Sequence, residues 1–347
     1  SSKNSADVHI YTRLMSYFHK NSYALAFIPE DIKIDIDRQT QQMLYIRAEV
    51  FAGEDCAVAV IEGTHTNFTL VSRNGNALLN AEAVESGNTT EDQQPTLTLA
   101  QVYEYATTVP LEQIEWLSEA ERMNIGAAEV SFTGSYGHGL GRLMHNNAEQ
   151  SIFGDTLFTK ILSYTSGACD ARMSGAMVPV MSNSGSGNQG ISATVPVVIF
   201  GREKGVSREK LLRALALSHL TVVYIKQSLG RLSALCGCVV AATGSSCGIT
   251  YLMGGEYREV SYAVKNMVAN LTGMICDGAK PSCSLKVTSG VSTAVLSAVL
   301  AMEQRHTTSL EGIIDDDVDK CIANLTNIGR NGMRETDKLI LKIMTEK

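Results

Sequence analysis

The sequence predicts an α+β fold: a small antiparallel sheet domain over residues 1–96, followed by a larger, mainly helical domain over residues 97–347 that carries the functional centre. Three observations carry that expectation. Residues 31–78 alternate apolar and polar side chains with a period of two. From Leu97 onward apolar residues recur at helical spacing, and the stretch between, residues 79–96, is polar and rich in turn formers, as a linker or domain boundary would be.

Each element follows from its own pattern. DIKIDIDR sets Ile32, Ile34 and Ile36 on one face and Lys33, Asp35 and Asp37 on the other. MLYIRAEVF and CAVAVIEG read as further strands, and HTNFTLVSRNGNALLN as a hairpin turning at Asn74-Gly75. Beyond the linker, LTLAQVYEYATTV and LEQIEWLSEAERMNIGAAEV read as helices. The remainder reads as helices rich in small residues, joined by Gly/Ser loops, with no internal repeat. At 347 residues, 44% of them hydrophobic, the chain is long enough for a sizeable core and two domains.

Composition excludes several roles. A net charge of −7 with no basic block argues against nucleic-acid binding. The most apolar stretch, Leu232–Met253, is interrupted by Thr243, Gly244, Ser245 and Ser246, so no membrane span is expected. The opening SSKNSADVH lacks the regions of a signal peptide, and it begins on Ser, as a fragment or a processed form does. A cytoplasmic protein with reduced thiols is therefore expected, and its eight cysteines favour a metal or cluster site over a disulfide framework. There is no HExxH, no phosphate-binding GKS/T loop and no GxSxG elbow.

Ser261–Gln304 reads as a helix, an abrupt break and a second helix. Val264, Met267, Val268 and Leu271 mark the first helix; Val287, Val291, Val295 and Val299, led by Leu285, mark the second. Gly278 suits the C-cap of the first, and Pro281-Ser282 suits the start of the next. Cys276 and Cys283 then stand at a helix end and a helix start, facing one loop. A thiol at a helix N-terminus is a better metal ligand, because its pKa is lowered. The competing reading is two ordinary buried cysteines.

In Asp170–Pro196, the segment Ser182-Asn183-Ser184-Gly185-Ser186-Gly187-Asn188-Gln189-Gly190 holds no hydrophobic side chain between two apolar flanks. A loop so held is expected to line a pocket, where hydroxyls, amides and backbone N–H groups bind a small anion such as a carboxylate. Arg172, ten residues ahead of Ser182, offers a charged hydrogen bond to the same group. A plain connector and a solvated arginine are the alternatives. Among the histidines, His65 in GTHTNF and His138 in GSYGHGLG have the most distinctive settings, whereas His219 in an apolar helix reads as structural.

The stretch RLSALCGCVVAATGSSCG adds Cys236, Cys238 and Cys247. Cys236 and Cys238 are too close for both to reach one cluster from a regular helix, so one of them packs. Zinc usually shows CxxC pairs or nearby histidines, which are missing here; three thiolates without a fourth ligand suit an iron–sulfur cluster with one open iron.

DARMSGAMVPVMSNSGSGNQGISATVPVV, RLSALC and GMICDGAKPSC with the following SLKV resemble the L-cysteine desulfidase family, related to the α-chain of iron–sulfur L-serine dehydratases. The likeness runs from AVAVIEGTHTNF to the C-terminus. It implies a 4Fe–4S lyase, independent of pyridoxal phosphate, that eliminates sulfide from L-cysteine to give pyruvate, ammonia and hydrogen sulfide. The family's three cluster cysteines match Cys236, Cys276 and Cys283, with Cys238 and Cys247 outside the set. The family's Gly-Cys-Thr-Glu-Pro segment, whose cysteine is thought to take the α-proton, has no match in this sequence, so no catalytic base is assigned.

The leading expectation is thus a cluster-dependent cysteine lyase. Cys236, Cys276 and Cys283 would be ligands, and Arg172 with Ser182–Gln189 would cradle the carboxylate and amino groups of a small amino-acid substrate. L-serine dehydration is the alternative within the same chemistry. A non-catalytic, cluster-bearing amino-acid sensor is the alternative outside it, should the base segment be absent; a structural zinc protein is the third. Many small residues in a helical core also suit a homodimer.

Overall fold

The computed structural model describes residues 33, 37, 44–63, 67–81, 97–146, 153–230 and 233–346. The expected DIKIDIDR strand, His65 and nearly all of residues 79–96 lie outside these. The described residues form two compact units, one ending at residue 81 and one beginning at Leu97. The fold is α+β: one small antiparallel sheet precedes eleven α-helices among the described residues.

The sheet is a four-stranded meander of β1 (Tyr45–Ala52), β2 (Asp55–Glu62), β3 (Phe68–Arg73) and β4 (Asn76–Asn80). Ala52 pairs with Asp55 and Arg73 with Asn76, so two residues close each of these hairpins. At the second turn Asn74 and Gly75 have φ of 50° and 80°, the left-handed pair of a type I′ turn, as the Asn-Gly signal requires. Asn74 also ties the two turns together. Its Oδ1 accepts the Cys56 N–H at 2.7 Å and its Nδ2 donates to Asp55 Oδ1 at 2.6 Å. Of the strand residues only Val60, Thr69 and Ser72 are fully buried, and β4 is exposed throughout.

The helical unit comprises α1 (Leu99–Thr108), α2 (Leu117–Thr133), α3 (Leu140–Asn146), α4 (Leu157–Met173), α5 (Gly187–Lys204) and α6 (Arg208–Leu229). Then follow α7 (Gly237–Leu252), α8 (Tyr257–Leu271), α9 (Cys283–Met302), α10 (Val318–Asn327) and α11 (Arg334–Thr345). The central helix is α7, which packs on α5, α6, α8 and α9. It has no charged residue, and its hydroxyls are satisfied by backbone carbonyls. Thr243 donates to Val239 O at 3.0 Å, Thr250 to Ser246 O at 2.8 Å, and Ser246 across to Ala294 O of α9 at 3.0 Å. Polar groups satisfied in this way can be buried at little cost. A Cβ on Gly244 would stand 2.3 Å from Ser218 O, so only glycine lets α6 come this close.

Two helix expectations need correction. The helix before the break stops at Leu271, so Cys276 lies five residues beyond it and Gly278 is not its C-cap. The chain instead runs extended beside residues 234–236, with Leu235 and Ile275 forming an isolated bridge. Two reciprocal backbone bonds, Cys236 N–H to Met274 O at 2.9 Å and Cys276 N–H to Ala234 O at 2.7 Å, outweigh another helical turn. On α9 the buried face runs through Val287, Val291, Ala294, Ala298 and Ala301, while Leu285 and Val299 are about half exposed. A spacing of four residues drifts around a helix of 3.6 residues per turn, which carries Val299 out of the core.

By length and composition α9 is apolar enough to cross a membrane, yet 44% of its most apolar window is buried inside the protein. It runs beside α7 in the same direction, since Gly290 faces Cys238 and Ala242 while Ala294 accepts from Ser246.

Candidate functional site

Four helix ends assemble around the predicted cysteines. Cys236 is the N-cap of α7 and Cys283 the first residue of α9; both are buried. Cys276, half-buried, is held beside Cys236 by the Leu235–Ile275 bridge. The three thiols lie near enough to act on one another electrostatically: Cys236 and Cys283 both oppose ionisation of Cys276. Cys169, near the end of α4, is a further buried thiol in the field of Cys283 and Cys236, and burial pushes its pKa up. All eight cysteines are free thiols.

Charge around the thiols is positive. Burial lowers the pKa of Lys226 on α6 to about 8, against the pull of Cys276 and Cys236. Lys286 on α9 donates to Ile275 O at 2.8 Å and pairs with Asp277, which Lys280 also pairs. Desolvation opposes ionisation of Asp277, but these two lysines outweigh it and hold its pKa at about 2. The first turns of α7 and α9 add partial positive charge at their N-termini. The Cys238 thiol bonds Cys236 and holds it below its ordinary range, so Cys236 has the more thiolate character of that pair.

The polar segment divides differently from its composition. Asn183 and Ser186 exchange backbone bonds at 3.1 and 3.0 Å around a turn with Ser184 at φ 49° and Gly185 at φ 82°. Gly187, Asn188 and Gln189, expected in a loop, are the first turn of α5, with Ser186 as its N-cap. The Ser-x-x-Gln spacing of Ser186 and Gln189 was the available signal for that start. Arg172 lies against this turn. A Cβ on Gly187 would stand 2.2 Å from Arg172 Nε, and Arg172 Nη1 donates to Asn188 Oδ1 at 3.1 Å. Burial lowers the Arg172 pKa, so this arginine is no solvated surface group.

Gln189 links the segment to the thiols. A Cβ on Gly237 would be 2.7 Å from Gln189 Nε2, which puts the carboxamide on the residue after Cys236. Asn183 is buried too, bonded to His219 on α6. Burial drops the His219 pKa to about 4, so it is neutral at pH 7. His138 sits exposed in the turn before α3, in the field of the buried Asp170. Asp170 and Lys226 were not singled out from the sequence. Each shares its helix with other charged residues, and nothing in the spacing sets it apart from them. A separate cleft of about 610 Å³, lined by His145, Lys160, Tyr164 and Arg202 among others, holds none of the predicted residues.

A model of the serine dehydratase alpha chain matches residues 35–342. The chain belongs to the serine dehydratase alpha chain family. A UPF0597 protein of Bacteroides fragilis is 61% identical over 316 residues, covering 91% of this chain and 74% of the relative. One from Porphyromonas gingivalis is 53% identical over 318 residues, 90% and 72% of the two chains. One from Oleidesulfovibrio alaskensis is 42% identical over 316 residues, 91% and 74%. These names state no activity.

Serine dehydratase alpha chains are generally iron–sulfur dependent. The donor set here fits such a group in kind. Among the described residues, no three His, Cys, Asp or Glu side chains are arranged to hold a single metal ion. A cluster instead takes its thiolates on separate iron atoms. Cys236, Cys276 and Cys283 come from three separate segments, with Lys226, Lys286 and two helix N-termini beside them to offset negative charge.

Proposed function

We propose that this serine dehydratase alpha chain relative is an iron–sulfur-dependent, pyridoxal-phosphate-independent lyase that eliminates sulfide from L-cysteine, giving pyruvate, ammonia and hydrogen sulfide. The observation that carries the reading is Gln189. It belongs to the same first turn of α5 that Arg172 covers, and it rests on Gly237 beside Cys236. The proposed carboxylate site would thereby neighbour the thiol group.

Cys236, Cys276 and Cys283 would hold a 4Fe–4S cluster. When bound, the cluster supplies a Lewis acid for the leaving β-atom. Arg172, held by Asn188, and the first N–H groups of α5 take the substrate carboxylate. The thiol of cysteine is soft and suits iron, which favours sulfide as the leaving group. Family membership alone favours L-serine, the alternative substrate. No residue is given the role of accepting the α-proton. A reducing cytoplasm is the compartment in which eight free thiols would persist.

The test is iron and acid-labile sulfide content of anaerobically reconstituted protein beside a Cys276→Ser variant, followed by pyruvate release from L-cysteine and from L-serine. About four iron and four sulfide per chain, lost in the variant, with faster release from L-cysteine, is the expected result. Zinc or no metal would sink the ligand assignment. Faster release from L-serine would transfer the activity to dehydration, and a full cluster that binds amino acid without turnover would make the protein a sensor.

A further inference from the structure

Asp170 stands in the last turn of α4, one residue after Cys169 and two before Arg172. Its side chain is buried, with 1% of the residue exposed. Oδ2 accepts the Gly141 N–H at 3.1 Å, whereas Oδ1 has no hydrogen-bond partner. Asp170 takes part in no ion pair among the described residues. A buried carboxylate with one oxygen unmet and no ion pair is costly, unless a ligand brings the paired cation.

Its surroundings say where that cation would come from. Ser284, the residue after Cys283, stands beside the carboxyl, with its hydroxyl shared between Asp170 and Pro281 O at 3.1 Å. Cys169 couples the same turn to Cys283 and Cys236. The Gly137 backbone packs close to the open oxygen: a Cβ there would lie 3.0 Å from Oδ1 and 3.4 Å from Ser174 Oγ, so only glycine leaves that side of the carboxyl uncovered. Near Cys236 a second buried acceptor, Gln189 Oε1, also lacks a partner. The site thus offers a guanidinium for an anion and unmet acceptors for a donor cation, both beside the thiols.

We propose that Asp170 receives the α-ammonium group of the substrate, with Gln189 as a second acceptor, so that recognition of a free amino acid is shared between Asp170 and Arg172. This rests on the amino-acid reading above. The competing role is purely structural, Asp170 serving only to hold the start of α3 through Gly141.

The experiment is calorimetric titration of reconstituted, anaerobic wild type and Asp170→Asn with L-alanine, which has no β-leaving group, and with propionate, which has no ammonium. Iron content and melting temperature are read on each protein. The wild type is expected to bind L-alanine more tightly than propionate. In Asp170→Asn, L-alanine should weaken by roughly 10- to 100-fold while propionate and iron are unchanged, as loss of a charged hydrogen bond implies. Equal L-alanine binding by the two proteins overturns the assignment and leaves the amino-acid reading standing. No L-alanine binding by the wild type overturns that reading and the assignment with it. Should Asp170→Asn lose its iron or fail to fold, Gly137→Ala decides: its Cβ screens Oδ1 while the charge stays. Weaker L-alanine with unchanged propionate supports the assignment, and unchanged L-alanine removes it.

Discussion

Asn183 and His219 fix each other's orientation completely. Asn183 Nδ2 donates to His219 Nδ1 and to His219 O, both at 3.0 Å. On the far side of the ring Nε2 is 3.0 Å from Thr194 Oγ1. Thr194 already donates to Gly190 O at 2.7 Å, so Nε2 must carry the proton and Nδ1 must accept. Asn124 completes the set, donating to Thr194 Oγ1 at 3.0 Å and accepting the Met181 N–H at 2.9 Å. The turn that begins at Met181 is therefore anchored from α2, α5 and α6 at once.

A second proton on His219 would have to sit on Nδ1, facing another donor. The folded pKa of about 4 lies below the ordinary 6.5, with burial as the cause. Stability from this group is then complete above pH 6.5, falls as pH drops through 6.5 towards 4, and is flat below. Its full extent is roughly 3 kcal/mol. His219→Gln keeps an acceptor and a donor without titrating. In urea melts across pH 3.5–7.5, the wild-type stability should decline relative to this variant over that window. A constant difference would remove the neutral imidazole from the account.

The contact between Gly237 and Gln189 predicts a loss of binding rather than of folding. In Gly237→Ala the new methyl meets the far end of a flexible side chain, which can swing away. Melting temperature and iron content should hold, while KM for the amino-acid substrate rises about tenfold, the effect of displacing one polar contact. If KM stays constant, Gln189 has no part in the substrate site.

Much of this arrangement was legible from residue patterns, and the remainder was not for physical reasons. The Asn74-Gly75 turn and the strands around it could be read because Asn followed by Gly strongly favours the left-handed pair a tight hairpin needs. The start of α9 at Cys283 could be read from Pro281 and Ser282. The start of α5 was obscured because Gly187, Asn188 and Gln189 have loop-like composition, and capping by Ser186 overrode it. The end of α8 was misplaced because the partner that draws out Ile275, the 234–236 segment, lies about forty residues earlier and leaves no local trace. Asp170 could not be found at all, since its importance lies in what it fails to bond, which only three dimensions show.

Asp319 ties together three helices distant in sequence. Its Oδ1 accepts the Leu99 N–H of α1 at 2.9 Å and the Tyr224 hydroxyl of α6 at 2.8 Å. Burial, with this carboxylate beside it, pushes the Tyr224 pKa up, so the phenol stays a donor. Asp319→Ala leaves two donors without an acceptor and should cost about 2–3 kcal/mol, whereas Tyr224→Phe removes one bond and should cost about 1 kcal/mol. Thermal melts rank the two variants. Equal losses would mean that the Leu99 bond contributes nothing.

Cys236 and Cys238 supply the sharpest contrast among the thiols. Two residues apart, they differ in what surrounds them. Cys236 caps α7, faces Cys276 across the Leu235–Ile275 bridge and feels Lys286. Cys238 lies inside the first turn, is wholly buried against α9 at Gly290, and is kept protonated by its bond to Cys236 and by burial. Of two neighbouring thiols, the one with more thiolate character is the better ligand. Cys236→Ser should therefore lose most of its reconstituted iron and its visible absorbance, and Cys238→Ser should keep both. Retention in the first and loss in the second would exchange the two roles and move the cluster two residues further into α7.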